Sequence, residues 1–251
     1  MRVIVTKDYE ELGRVAANII AAQVTLKPDS VLGLATGSSP ISTYQNLIKK
    51  YENGDLDFSK CHTANLDEYV GLTKDNDQSY AYFMYDNLFK HININMENTN
   101  IPDGTEKDAA KECARYDKVV SDLGGVDIQL LGIGHNGHVG FNEPADCFAK
   151  GTNLIDLTQS TIDANTRFFE KKEDVPTQAY TMGIKTIMSA KKVLLVATGE
   201  GKAEIIYKMV AGDITPQVPA SVLQLHNDAI VVVDEAAAKL LKEKAPELIT
   251  G

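Results

Sequence analysis

Short apolar runs alternate with longer stretches of helical spacing along this chain. The runs are Val3 to Val5, Ser30 to Ala35 (S-V-L-G-L-A), Cys61 to Leu66, Asp127 to Ile133, Lys192 to Ala197 (K-V-L-L-V-A) and Ala229 to Val233. Each is short, and several are continuously apolar, which suits strands of a parallel sheet covered on both faces. Between them, Leu12, Val15, Ala16, Ile19 and Ile20 recur at helical spacing. Asp8 followed by Glu11 reads as a capping box in front of that helix. Helices are also predicted over Thr43 to Tyr51, Ser79 to Phe89, Asp108 to Leu123, a stretch ending at Val210, and Glu235 to Lys244. Strand–helix alternation predicts an α/β fold: an open, doubly wound, mainly parallel sheet with helices on both faces.

With 251 residues, 43% of them hydrophobic, the chain can bury one large core or two small ones. No repeat, low-complexity tract or linker divides it, so a single domain over 1–251 is expected. Its least regular part, 145–180, is polar and carries the run E-K-K-E-D; it reads as a mobile flap. The net charge of −10 disfavours nucleic acid and anionic lipid as partners. No apolar run approaches the roughly 20 residues that span a bilayer. The three cysteines, Cys61, Cys113 and Cys147, are odd in number and lack C-x-x-C spacing, as reduced thiols do. Together with an N-terminus that lacks a signal peptide's features, these place the protein in the cytoplasm.

Four polar motifs follow predicted strands, so a doubly wound sheet would gather them beyond its carboxyl edge. T-G-S-S-P at 36–40 offers Gly37, Ser38 and Ser39 at a helix start, where backbone N–H groups and the dipole favour an anion. Taken alone it is equally a plain helix cap, and it lacks the nucleotide-binding patterns G-x-G-x-x-G and G-K-[ST]. D-E-Y at 67–69 places two carboxylates after a strand. One can be a general base, though an isolated D-E is more commonly a turn acid; strand alternation lets only one of Asp67 and Glu68 face a site. G-I-G-H-N-G-H-V-G-F-N-E-P at 132–144 is the densest segment. In it His138 can exchange a proton, Glu143 can orient it, and Asn136 can add a neutral hydrogen bond. A zinc reading of His135 and His138 lacks a third ligand, and His135 is equally read as a locally bonded loop residue. T-G-E-G-K-A at 198–203 brings Lys202, and the irregular segment brings Arg167; each can neutralise a phosphate or be a solvated surface charge.

Taken in order, L-G-L-A-T-G-S-S-P, N-L-D-E-Y-V-G-L, G-I-G-H-N-G-H-V-G-F-N-E-P, T-R-F-F, T-M-G-I-K-T-I and S-V-L-Q-L-H resemble the glucosamine-6-phosphate deaminase family. The resemblance covers nearly the whole chain and implies a single Rossmann-like domain. It implies ring opening of glucosamine 6-phosphate, aldose–ketose isomerisation and release of ammonia, leaving fructose 6-phosphate, in amino-sugar catabolism and N-acetylglucosamine degradation. It implies a hydrolase that needs neither cofactor nor metal. By motif, Asp67 matches the base that moves a proton from carbon 2 to carbon 1. His138 matches the ring-opening group, Glu143 its orienting carboxylate, and Asn136 a position held by Asp or Asn. Gly37, Ser38, Ser39, Arg167 and Lys202 match the phosphate ligands. Some family members are activated by N-acetylglucosamine 6-phosphate at a subunit interface. The matching positions, Asp146, Cys147, Asn153 and Ile155, do not suit a phosphate, so such activation is expected to be absent. The choice between monomer and homo-oligomer stays open. The alternatives are a 6-phosphogluconolactonase, a galactosamine-6-phosphate deaminase, and a non-catalytic sugar-phosphate sensor. The sensor would need a DNA-binding segment for which the chain has no room.

Overall fold

The computed structural model describes residues 1–159, 162 and 175–250. Its strands are β1 (Arg2–Thr6), β2 (Val31–Leu34), β3 (His62–Asn65), β4 (Asp67–Tyr69), β5 (Thr99–Asn100), β6 (Ile128–Leu131), β7 (Asn153–Asp156), β8 (Gln178–Thr181), β9 (Lys192–Ala197) and β10 (Ala229–Asp234). Seven of them form one sheet in the order β1-β10-β9-β6-β2-β3-β5, and every neighbouring pair is parallel. Alternate residues of single strands enter opposite cores. Leu195, Val231 and Val233 join one cluster, whereas Leu194, Val196, Ile230 and Val232 join the other. Burial on both faces is the physical reason the runs are continuously apolar.

The described α-helices are α1 (Tyr9–Leu26), α2 (Ile41–Glu52), α3 (Tyr80–Asn87), α4 (Ala109–Asp122), α5 (Ile184–Met188), α6 (Ala203–Ala211) and α7 (Lys239–Lys244). Asp8 caps α1 by accepting from the Glu11 amide at 2.8 Å. The reciprocal Glu11 carboxylate bonds the Lys7 amide, one residue before the cap. The last helix is shorter than the predicted 235–244. Asp234 accepts the Ala237 amide, and the chain turns there before α7 begins at Lys239.

Three strands form a second, antiparallel sheet in the order β4-β8-β7, absent from the sequence reading. They are three or four residues long and largely polar, too short for alternation to emerge from the pattern. β7 lies within the segment expected to be an irregular flap, so part of that segment is regular structure. Residues 160, 161 and 163–174 of that segment, with Arg167, lie outside the described residues.

Strand order positions the site. From β2 the chain proceeds to β3 and β5 on one side, and from β6 to β9 and β10 on the other. β2 and β6 are adjacent, so their carboxyl ends flank the point where the winding reverses, and a crevice opens there. T-G-S-S-P follows β2 and the 132–144 segment follows β6. Among the described residues no helix is long and apolar enough to cross a membrane.

Candidate active site

The 132–144 loop is the hub of the crevice, and each of the other three motifs touches it. Ser39 lies beside Gly132, where a Cβ would sit 3.8 Å from its Oγ. Lys202 donates from Nζ to the Ile133 carbonyl at 2.7 Å. His135 binds the Gly201 carbonyl through Nδ1 at 3.1 Å. His135 therefore holds two loops together. Asp67 reaches the loop at Gly140, where a Cβ would lie 3.3 Å from Asp67 Oδ2.

The two acids of D-E-Y separate as strand alternation requires. Glu68 is consumed structurally. Its carboxylate accepts the amides of Tyr69 at 2.8 Å, Tyr80 at 2.9 Å and Ala81 at 2.9 Å, the last two at the start of α3. Asp67 instead faces the loop and is 6% exposed. Burial, reinforced by the Glu68 charge, pushes its carboxyl up to about 8. Glu68 is also raised by burial, to about 7, while its three N–H donors pull the other way. A carboxylate whose proton affinity has been lifted toward neutrality is suited to abstract a carbon-bound proton.

His138, Glu143 and Asn136 form a second group. His138 Nδ1 lies 3.2 Å from Glu143 Oε1, off the line of a good hydrogen bond, so it is otherwise unpartnered. Asn136 donates its amide to Glu143 Oε2 and accepts the His138 backbone N–H at 3.2 Å. The carboxylate is thereby held against the imidazole from the far side. Gly134 makes the fit possible, because a Cβ there would lie 2.3 to 2.4 Å from three atoms of the His138 ring. Gly134→Ala should displace the ring from Glu143 and lower kcat roughly 10- to 100-fold, in line with the general loss from a displacement of about 1 Å. Steady-state kinetics checks this; an unchanged kcat would show that the ring position does not matter.

The phosphate candidates divide. Gly37 and Ser38 are exposed and Ser39 half-buried at the foot of α2. That helix has no side-chain cap, which leaves room for an anion at its N-terminus. The loop is pinned by Tyr9, whose hydroxyl donates to the Ser38 carbonyl at 2.7 Å and accepts the Ser42 amide at 3.0 Å. Lys202 has no carboxylate partner among the described residues, and burial lowers its pKa. A half-buried cation of this kind suits an incoming anion. Arg167 lies outside the described residues.

Sequence reasoning missed Asp234. It ends β10 and is 7% exposed. It accepts the Thr198 hydroxyl and the Gly199 amide, the latter at 3.0 Å, and so fixes the loop that carries Lys202. A lone Asp closing V-V-V-D was the one available signal. The Q-L-H segment turns out to be structural. Gln224 donates to the carbonyls of Met209 and Gly212, and His226 bonds the Ala190 carbonyl, which precedes β9 at the edge opposite the crevice. No group of three or more His, Cys, Asp or Glu among the described residues is placed to hold a metal.

A family model described as glucosamine-6-phosphate isomerases/6-phosphogluconolactonase matches residues 7–232. The chain belongs to that family. It is 60% identical over 232 residues to a glucosamine-6-phosphate deaminase of Lachnoclostridium phytofermentans, covering 92% of this chain and 98% of the relative. It is 55% identical over 249 residues to the deaminase of Clostridioides difficile, covering 99% and 100%. A solved monomeric glucosamine-6-phosphate deaminase superposes with a TM-score of 0.93 at 46% identity, covering 96% of this chain and all of that one. The 6-phosphogluconolactonase of Trypanosoma cruzi shares the fold, with a TM-score of 0.76 at 20% identity. The Rossmann-like α/β expectation therefore holds. The hydrolase class does not: the near relatives, curated and solved, are glucosamine-6-phosphate deaminases, so the activity is an isomerisation coupled to ammonia release.

Proposed function

We propose that this member of the family is a glucosamine-6-phosphate deaminase that opens the pyranose ring, isomerises the aldose to a ketose, and releases ammonia and fructose 6-phosphate. The observation that carries the reading is the pairing, across one loop, of a buried high-pKa carboxylate at Asp67 with the His138–Glu143–Asn136 group. Identity of 55–60% to deaminases over nearly the full chain supports it.

Ring opening moves a proton from the anomeric hydroxyl to the ring oxygen. His138 carries that proton, and Glu143 stabilises the imidazolium formed on the way. The open-chain aldehyde and the ammonium group acidify carbon 2. Asp67 takes that proton and returns it at carbon 1, which leaves an imine at carbon 2; water then adds to carbon 2, the carbon–nitrogen bond breaks, and ammonia departs to leave the ketose. Ser38, Ser39, the amide of Gly37, Lys202 and Arg167 hold the phosphate, which fixes the sugar's far end while the reacting carbons lie over Gly140. The residues suffice for this chemistry without a cofactor or metal. Its place is amino-sugar breakdown, including N-acetylglucosamine degradation, in the cytoplasm.

Lys202→Ala should raise KM about 10- to 100-fold with a smaller change in kcat, because phosphate binding is retained through the whole reaction. A large fall in kcat at constant KM would instead place Lys202 at the reacting carbons. The function is tested by supplying glucosamine 6-phosphate, galactosamine 6-phosphate and 6-phosphogluconolactone to the purified protein, with and without N-acetylglucosamine 6-phosphate. Ammonia from the first substrate, at rates unaffected by the acetylated sugar, is expected. Turnover of the lactone alone would assign a lactonase; binding without turnover of any of the three would assign a sensor.

A further inference from the structure

Thr181, on β8, lies outside the groups assigned so far yet touches both of them. It is fully buried, and it stands directly opposite Asp67 in the antiparallel β4–β8 pair. Directly opposed residues of an antiparallel pair project from the same face, so the Thr181 hydroxyl and the Asp67 carboxylate lie side by side. The hydroxyl accepts the Phe141 backbone N–H at 3.0 Å. Phe141 lies within the loop that carries His138 and Glu143, two residues from the second of these. Between them lies Gly140, with φ +58°. A Cβ built there would be 2.8 Å from Thr181 Oγ1, 3.3 Å from Asp67 Oδ2 and 3.5 Å from Asn142 Nδ2. The base strand and the proton-handling loop thus meet at Gly140, and the Thr181 hydroxyl joins them there, next to the bond from Asn142 Nδ2 to the Met182 carbonyl at 2.9 Å.

Packing alone does not call for that hydroxyl. At a fully buried strand position Val fills the same volume and has at least as high a strand preference. A hydroxyl is required because the Phe141 amide is buried and must be paired. The Phe141 ring is held separately, by stacking on Tyr80 and packing on Tyr69. Two polar bonds tie the loop to this end of β8: Asn142 Nδ2 to the Met182 carbonyl at 2.9 Å, and the Phe141 amide to the Thr181 hydroxyl, the one that acts directly on the Gly140–Phe141 peptide beside Asp67.

We propose that Thr181 is a positioning residue for the reaction: its hydroxyl, bonded to the Phe141 amide beside Asp67, sets the spacing between the carbon-acid base and the ring-opening loop. The proposal rests on the deaminase reading for its kinetic consequence. Loss of the hydroxyl lets the loop peptide move away from β8. The substrate carbon held over Gly140 then no longer meets Asp67 at bonding distance, while the phosphate remains bound.

The test compares Thr181→Val and Thr181→Ser, each checked for folding by circular dichroism and thermal melting. Thr181→Val is expected to lower kcat roughly 10- to 100-fold with KM within about threefold, and Thr181→Ser to recover most of the loss. With glucosamine 6-phosphate deuterated at carbon 2, the isotope effect on kcat should be larger in Thr181→Val than in the wild type, because proton abstraction has become slower. A destabilised fold alone would not change that isotope effect. Should Thr181→Val not fold, Thr181→Ala carries the same comparison. An unchanged kcat, or a kcat loss that Ser does not recover and that leaves the isotope effect at its wild-type value, overturns the proposal. The coupling is also readable without turnover. In a double-mutant cycle on unfolding, Thr181→Val and Asp67→Asn should be non-additive by roughly fivefold or more in the folding equilibrium constant; additivity contradicts the inference. Wild-type protein that releases no ammonia sinks the deaminase reading, and the unfolding cycle still decides the role of Thr181.

Discussion

Asp67→Asn should lower kcat for ammonia release by about 10³-fold or more, while the protein stays folded and becomes more stable above neutral pH. The kinetic loss follows from removing the group proposed to take the carbon 2 proton, since positioned bases contribute about 10²- to 10⁴-fold. The stability change follows from the sign of the pKa shift. An unfolded Asp titrates near 3.9, whereas the folded Asp67 titrates at about 8, raised by burial and then by Glu68. The folded state therefore favours the protonated carboxyl. That contribution is complete below about pH 4 and is lost as pH rises through about 8. Asn carries no charge at any pH, so the variant avoids the loss, by an amount of order a few kcal/mol at pH 9. Thermal melts at pH 5 and pH 9 should show the two proteins converging at the lower pH and diverging at the higher. The same titration predicts that kcat/KM of the wild type rises with pH through about 8, because the base acts ionised. A near-normal kcat in the variant, or a melting temperature that falls at pH 9, would remove Asp67 from the role.

His138→Gln should slow turnover of the cyclic substrate by about 10²-fold and that of open-chain substrate far less. The imidazole is held by Glu143 on one side and packed on Gly134 on the other. Gln retains polarity and approximate size but cannot carry a proton between two oxygens. Presteady-state mixing with freshly generated open-chain sugar separates the two steps. Equal losses on both forms would show that His138 acts after ring opening or only on structure.

How legible this was in the sequence depended on element length and on locality. The parallel sheet was readable because strands such as Lys192–Ala197 are buried on both faces and leave unbroken apolar runs. The β4-β8-β7 sheet was not, because a three-residue strand such as Asp67–Tyr69 shows no period and its partners lie more than 80 residues away. That sheet is also what separates the two acids of D-E-Y, so the structural duty of Glu68 at the start of α3 could not be seen from the motif. The grouping of Asn136, His138 and Glu143 in the 132–144 loop was readable because they are close in sequence. Their link to Asp67 through Gly140 and Thr181, and the hold of Asp234 on the Lys202 loop, are tertiary contacts with no local signature. The roles of individual residues and of the phosphate ligands came from the resemblance rather than from spacing, and Arg167 rests on that resemblance alone.

The most direct measurement is the production of ammonia and fructose 6-phosphate from glucosamine 6-phosphate by the wild-type protein and by Asp67→Asn, assayed side by side at pH 8. The account predicts equal amounts of both products from the wild type and neither, within about a thousandth of its rate, from the variant. No ammonia from the wild type, or comparable rates from the two proteins, would contradict it.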